Sequence, residues 1–567
     1  MEWWDGLFLN EGFARFMEFK AIDSIFPEWD AYSEFVFGVF FVAQGLDAML
    51  SSHPILCEVN HPDEINSIFD AISYAKGACV IRMCENFLGK DVFMKGIQYY
   101  LKKFAYKNAK VGELWAALGE FSGKDVSSFM NPWTSQVGFP LLTVDDDFNI
   151  TQTRFFASGP TTPEAATSTS AWPCPMSDGK IVYVRGDSSS SSSSSNSNSN
   201  SSKGIKDQSE EIKACIAKDV AQNAGGWFKL NVGQSGFYRV NYTSKQWNKL
   251  AAVMAPGGPL STVDRLGVVS DVFAIGKAGY ANITVALDLV GNFAAFGEDN
   301  YVVWQELSEQ LSALCGLYSN EDLYPEFQSF LKLVYSKQAG ILGWDVKQGE
   351  AESCAAFRAE VIGILGVAGD EATLDEALRR FNLMCETGEP IHADLRRVVY
   401  KLALKRDEKA VIGKLMTLFK QTIFPEEQKN LMYTLGEVKD ETLHTQIMEW
   451  TLWSGDVKLQ DIAYVLSTLG STHHAVKSWE FFKDNFDRLE TAFSKGKMWG
   501  SVVALLLRGL EGQQFVNEIN TFFKEHDVGS AKRRLEQAVE AILLRENRLK
   551  RDKAVVKEWL QERGAKK

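Results

Sequence analysis

The sequence predicts a multidomain, mainly helical protein in which a small β-sandwich separates two helical regions. Three observations predict it. The hydrophobic period is helical across residues 1–138, switches to two across 139–257, and returns to helical across 258–567. A chain of 567 residues exceeds what one hydrophobic core supports, so several domains are expected. Amphipathic, helix-sized segments then recur through 258–567 with no strand-like run between them. That suits stacked helix pairs, a HEAT- or armadillo-like superhelix, better than one outsized bundle.

In the first region Leu9, Phe13, Phe16 and Met17 have the spacing of a buried helical stripe, which Pro27 ends. Ile81, Cys84, Phe87 and Leu88 form a second pattern just after Tyr74 and stop at Gly89. The run Gln136-Val137-Gly138-Phe139-Pro140 breaks helicity. In the second region, strands are expected at Leu141–Thr143, Ile150–Phe155, Ile181–Val184, Trp227–Val232 and Gly236–Tyr242. Inside it Ser188 to Ser202 contains only Ser and Asn, with no apolar area to offset ordering entropy, so a disordered hairpin extension is expected. In the third region Leu395, Val398, Val399 and Leu402 make one amphipathic face. Leu535, Ala538, Val539 and Ile542 make another, and Val556, Trp559 and Leu560 a third. The basic tail from Lys532 reads as a solvated capping face rather than a binding patch.

Composition narrows the function classes. Hydrophobic residues at 45% and aromatics at 12% supply ample core. A net charge of −13 argues against a nucleic-acid partner. No apolar run is long enough for a membrane span. The opening residues lack a basic segment, and Asp5, Asn10 and Glu11 interrupt their apolar stretch, so they do not read as a signal peptide. The eight scattered cysteines fit reduced thiols and a cytoplasmic location.

The most informative block is Trp3-Trp4-Asp5-Gly6-Leu7-Phe8-Leu9-Asn10-Glu11-Gly12-Phe13-Ala14. It resembles the W-W-x-x-L-W-L-N-E-G-F-A segment of the gluzincin zinc aminopeptidases. Asp70-Ala71-Ile72-Ser73-Tyr74-Ala75-Lys76-Gly77 resembles the D-A-I-S-Y-x-K-G segment of puromycin-sensitive aminopeptidases. Trp133–Pro140, Gly236–Tyr242, Val263–Gly267, Leu342–Asp345 and Ala393–Arg396 follow in the family's order, so the resemblance covers essentially the whole chain. It implies that 1–138 is the C-terminal part of a thermolysin-like peptidase domain, 139–257 a β-sandwich and 258–567 an α-helical superhelix.

The resemblance implies that Glu11 is a zinc ligand. The family's other two ligands are the histidines of H-E-x-x-H, whose i, i+4 spacing puts both on one helix face. The seven histidines here are His53, His61, His392, His444, His473, His474 and His526, and none is four residues from another. Only ten residues precede Glu11, so the histidines would fall before Met1. The family's G-x-M-E-N amine-binding loop is likewise not found. The expectation is an N-terminally truncated aminopeptidase with an incomplete zinc site, inactive alone because two ligands and the general base are missing. Without its context, Glu11 would read as a helix-surface carboxylate paired with Arg15.

Tyr74 aligns with the family's oxyanion donor, which acts only if aimed where charge develops. Its other reading is a packed tyrosine with a satisfied hydroxyl. Arg396 resembles a position facing the family's substrate cavity and would suit a peptide carboxylate, or equally a salt bridge to Asp394 or another acid. Peptides are the expected partners, with pairing to an intact relative as a further expectation. The alternative function is a non-catalytic paralogue that binds peptides or a partner on the concave superhelical surface.

Overall fold

The computed structural model describes residues 3–176, 181–182, 201–470, 473–496 and 498–564. The chain divides into two units, Met1–Glu306 and Leu307–Lys567. Helix dominates both, and the described strands form one three-stranded sheet and one two-stranded ribbon in the first unit. Among the described residues no helix is long and apolar enough to cross a membrane, and no disulfide forms.

The first unit opens with helix α1 (Phe8–Ile25), and Pro27 starts a separate 3-10 turn after it, as the sequence predicts. Its buried stripe differs from the expected one. Phe8, Gly12 and Phe16 face the interior, whereas Leu9 and Phe13 are half-buried and Met17 is exposed. The reason is steric: α1 must present Gly12 to a close neighbour, which rotates the stripe by one residue. Helix α2 (Val42–Asp47) continues a π-helical run, Val36–Phe41. Helix α3 (Gly77–Leu88) grows out of a π-turn, Ile72–Lys76, and ends at Gly89, whose φ of 88° leaves the helical region. Helices α4 (Lys90–Lys103), α5 (Val111–Ser122) and α6 (Val126–Ser135) pack in succession behind it.

Strand β1 (Pro140–Val144) pairs antiparallel with β2 (Ile150–Arg154), Leu142 opposite Gln152. Strand β3 (Cys174–Pro175) pairs with β4 (Ile181–Val182). Helix α7 (Ser201–Gln222) was not foreseen: Ser201 and Ser202 open it, while Ser188–Asn200 of the expected hairpin extension lie outside the described residues. Trp227–Val232 is not a strand either. Asn231 takes φ 53°, in the left-handed region, and a 3-10 turn Val232–Gln234 follows, so the ladder cannot continue. The Asn231 side chain organises that turn, accepting from Gly236 N at 2.8 Å and donating to the carbonyls of Gly236 and Tyr238. Strand β5 (Arg239–Asn241) then lies parallel to β1. Helix α8 (Thr262–Ala278) backs the sheet through Asp271, which accepts from Arg239 and from Val240 N.

The second unit is helical throughout its described residues. Helices α9 (Tyr324–Leu342), α10 (Ser353–Val367), α11 (Glu371–Thr387), α12 (Ala393–Arg406) and α13 (Glu408–Gln421) follow in order. Then come α14 (Pro425–Leu435), α15 (Glu441–Trp453), α16 (Ile462–Leu469), α17 (Ala475–Asp484), α18 (Trp499–Leu507), α19 (Gln513–Glu525) and α20 (Lys532–Gly564). Alternate helices pack on one another: α10 on α12, α12 on α14, α14 on α16, α16 on α18 and α18 on α20. The intervening helices cover them, α11 on α12, α13 on α14 and α15 on α16. The predicted stripe Leu395, Val398, Val399 and Leu402 is buried in this core. Val556, Trp559 and Leu560 of α20 are buried too, so the basic tail is a packed helix rather than only a solvated cap.

Candidate functional site: a carboxylate and a phenol at a glycine crossing

Glu11 and Tyr74 meet where α1 crosses the π-turn and the start of α3. Two glycines make the crossing. A Cβ on Gly12 would stand 3.0 Å from the backbone carbon of Gly77, and one on Gly77 would stand 3.1 Å from the Phe8 Cβ. No larger residue fits at Gly12 without moving backbone. Glu11 precedes the first glycine by one residue and Tyr74 precedes the second by three, so the crossing sets their side chains face to face. The Glu11 carboxylate lies close enough to the Tyr74 phenol to act on its proton. Partial burial pushes the phenol pKa up, and the adjacent carboxylate pushes it further.

The π-turn itself is read from two bonds. Lys76 N donates to Ala71 O at 2.9 Å, five residues back, and Gly77 N donates to Ile72 O. Such turns inside α-helices recur at functional sites because they re-aim side chains. On one flank of the phenol the Phe69 ring lies 6.2 Å away, and Trp4 lies 5.9 Å from Phe69. Trp3 anchors this wall by donating its indole N–H to Val59 O at 2.9 Å. Leu7, Val59 and Ile68 fill the small core beneath.

Below the π-turn, Lys76 is fully buried, with its ammonium 2.8 Å from Asp47 and 3.0 Å from Gly138 O. Burial lowers its pKa, and Asp47 opposes that shift. Asp47 also accepts from Ser52 at 2.8 Å and from Gly138 N at 3.0 Å. At the start of the turn Asp70 accepts from Ile72 N at 2.8 Å, and its other oxygen lies 2.9 Å from His53 Nε2. None of His53, Asp70, Lys76, Asp47 or the two crossing glycines is picked out by sequence reasoning. The signal available was the pair of glycines, one in each motif.

Arg15 pairs with Glu18 at 2.7 Å, so Glu11 is not held in the i, i+4 pair that its isolated reading suggests. Arg396 belongs to the second unit. It pairs with Glu427 at 3.1 Å and donates to Ile391 O, not to Asp394, and Tyr400 shares Glu427 at 2.5 Å. A zinc ion needs three protein donors with an open position for catalysis. Among the described residues no three His, Cys, Asp or Glu side chains gather into a metal-binding group. Glu11 and Tyr74 amount to one donor and a neighbouring phenol, which is not a zinc site by itself.

Residues 1–133 match the family model described as the peptidase family M1 domain, and residues 227–544 match the ERAP1-like C-terminal domain. The chain is 31% identical to aminopeptidase M1-A of Oryza sativa subsp. japonica, over 96% of this chain and 60% of that protein. It is 31% identical to the mitochondrial aminopeptidase 2 of Saccharomyces cerevisiae, over 100% of this chain and 57% of that protein. It is 30% identical to the puromycin-sensitive aminopeptidase of Caenorhabditis elegans, over 99% of this chain and 59% of that protein. The chain thus spans about 60% of the length of these curated relatives.

Proposed function

The chain belongs to the M1 family of peptidases, with an ERAP1-like C-terminal domain, and on that footing we propose that it carries part of a zinc-dependent aminopeptidase site. The observation that carries the proposal is the glycine crossing, which brings the Tyr74 phenol beside the Glu11 carboxylate. In this reading Glu11 is one zinc ligand, and the rest of the metal site comes from residues other than these. Tyr74 donates its phenol proton to the oxyanion that develops at the scissile carbonyl. The reaction class is removal of N-terminal residues from peptides in the cytoplasm. These residues alone lack H-E-x-x-H and its general base, so they are expected not to turn over substrate.

The second unit is read as a superhelix of stacked helix pairs, which the packing of alternate helices supports. Its half-exposed Arg396, paired with Glu427 beside the buried Tyr400, supports a structural role for Arg396 as well as a peptide-carboxylate contact. A second reading, a non-catalytic binder of peptides or of an intact relative, rests on the same stack.

The test is complementation. Joined to the residues that precede the N-E-G-F-A block in an M1 relative, the chain should bind zinc and release amino acids from short peptides. There Glu11→Gln should lower zinc content. Tyr74→Phe should keep zinc and lower turnover by roughly 10²–10³-fold, as for other oxyanion donors. Full turnover in Tyr74→Phe would remove Tyr74 from the mechanism. Peptide binding by a fusion that never turns over would favour the binder reading.

A further inference from the structure

We propose that the buried His53–Asp70 pair is the positioning element of the Tyr74 phenol. The proposal rests on the reading of Tyr74 given above. A π-turn has poorer packing and hydrogen-bond geometry than an α-turn and persists only where its surroundings hold it. Here it is tied at both ends. At its start one Asp70 oxygen accepts from Ile72 N at 2.8 Å and from Ser73 N at 3.4 Å, and Tyr74 N donates to the Asp70 carbonyl at 3.1 Å. At its end Lys76 reaches Asp47 and Gly138 O.

The two ties are one continuous device. Asp47 accepts from Ser52, and the next residue is His53, whose Nε2 lies 2.9 Å from the second oxygen of Asp70. His53 Nδ1 lies 2.8 Å from Pro54 O, a group that can only accept, so Nδ1 carries a proton. One further proton then sits between Nε2 and Asp70, whichever atom holds it. His53 and Asp70 are 5% and 8% exposed, so this polar pair lies in a low-dielectric setting where its geometry is stiff. The phenol, by contrast, is only half-buried. Its aim is set by the backbone that carries it, and the backbone is set by the run from Lys76 through Asp47, Ser52 and His53 to Asp70.

The experiment uses the chain itself, labelled with 3-fluorotyrosine and read by fluorine NMR, with Tyr74→Phe identifying the Tyr74 resonance. Glu11→Gln should move that resonance, which shows that it reports the phenol's position beside Glu11. His53→Gln and Asp70→Asn should then move the same resonance while Tyr318, Tyr335 and Tyr400 in the second unit keep theirs. A purely stabilising pair would lower the melting temperature and leave the Tyr74 resonance in place. If Asp70→Asn does not fold, His53→Gln and the milder Ser52→Ala decide. A Tyr74 resonance unmoved in every variant that folds overturns the proposal. The measurement needs neither metal nor turnover, so that result would leave the proposed function standing. Full turnover in Tyr74→Phe would instead end the functional reading without touching the geometry.

Discussion

Lys76 holds its ammonium out of solvent, against Asp47 and the Gly138 carbonyl. Removing one partner of a buried pair strands the other charge, at a cost of about 3–5 kcal/mol. Lys76→Met should therefore lower the unfolding free energy of the first unit by that much, read as a lower urea midpoint, and adding Asp47→Asn should recover part of the loss. An unchanged midpoint in the single variant would show that Asp47 is satisfied without it. In the second unit His444 is 1% exposed, its ring 4.8 Å from that of His474. Burial, and then the neighbouring His474, push its pKa down to about 4. The sign follows directly: between about pH 6.5 and 4 the unfolded chain binds a proton that the folded chain refuses, so stability falls on acidification. The full shift is worth roughly 3 kcal/mol. His444→Gln should flatten the denaturation midpoint of the second unit between pH 7 and 5, and an equal slope in both proteins would exclude His444 as its source. Glu11 and Tyr74 are singled out by the sequence because each sits in a block whose residue order is distinctive. His53 and Asp70 are not, because their meaning lies in a contact across 17 residues that no local spacing encodes.

Where helices approach closely, the residue that matters is the one with no side chain. Gly12 and Gly77 let α1 cross α3, and the cost of misreading them is visible in the one-residue rotation of the α1 stripe. The same device recurs in the second unit. A Cβ on Gly366 would fall 2.3 Å from Leu402, one on Gly436 would fall 2.5 Å from Val465 O, and one on Gly470 would fall 1.9 Å from Leu505 O. Each glycine follows a leucine at the end of one helix and meets the next alternate helix. This is a Leu-Gly repeat, with Gly436 and Gly470 34 residues apart, and it is hidden because only two positions per unit recur. Gly413, in the exposed middle of α13, meets nothing within 4 Å. Gly413→Ala should accordingly stabilise by up to about 1 kcal/mol. Gly436→Ala should destabilise by about 1–3 kcal/mol, because backbone must move. Equal midpoints for the two variants would sink the close-approach argument. The helices are legible from their period, whereas the Trp227–Val232 strand is misread because its alternation says nothing of the left-handed Asn231. Helix α7 is missed because Ser and Gly crowd its start, although Ile212 and Ile216 are buried one turn apart.

At the scale of the molecule, the helical order of the second unit suggests an array with two separate ends, but α20 joins them. Its Trp559 ring meets Phe330 of α9 edge-on at 5.2 Å, while Lys553 and Lys557 pair with Asp322 just before α9. The same helix also packs on α18 and α19. Trp559→Ala removes a buried aromatic side chain and should cost about 3–5 kcal/mol. Because α20 touches both ends of the array, the loss should lower the unfolding of the entire second unit in one step rather than fraying its last helices. Hydrogen exchange showing α9 and α10 fully protected in that variant would refute the coupling. That the chain holds more than one unit is legible from its length. The return of the last helix to the first is not, since it depends on contacts between residues 235 apart. That separation is also a separation in time. At roughly 5–20 residues per second, a ribosome needs on the order of 12–47 s to go from Asp322 to Lys557. Throughout that interval the nascent α9 waits with Phe330 uncovered, and this waiting period is the point in the life of the chain at which a chaperone would have most to hold.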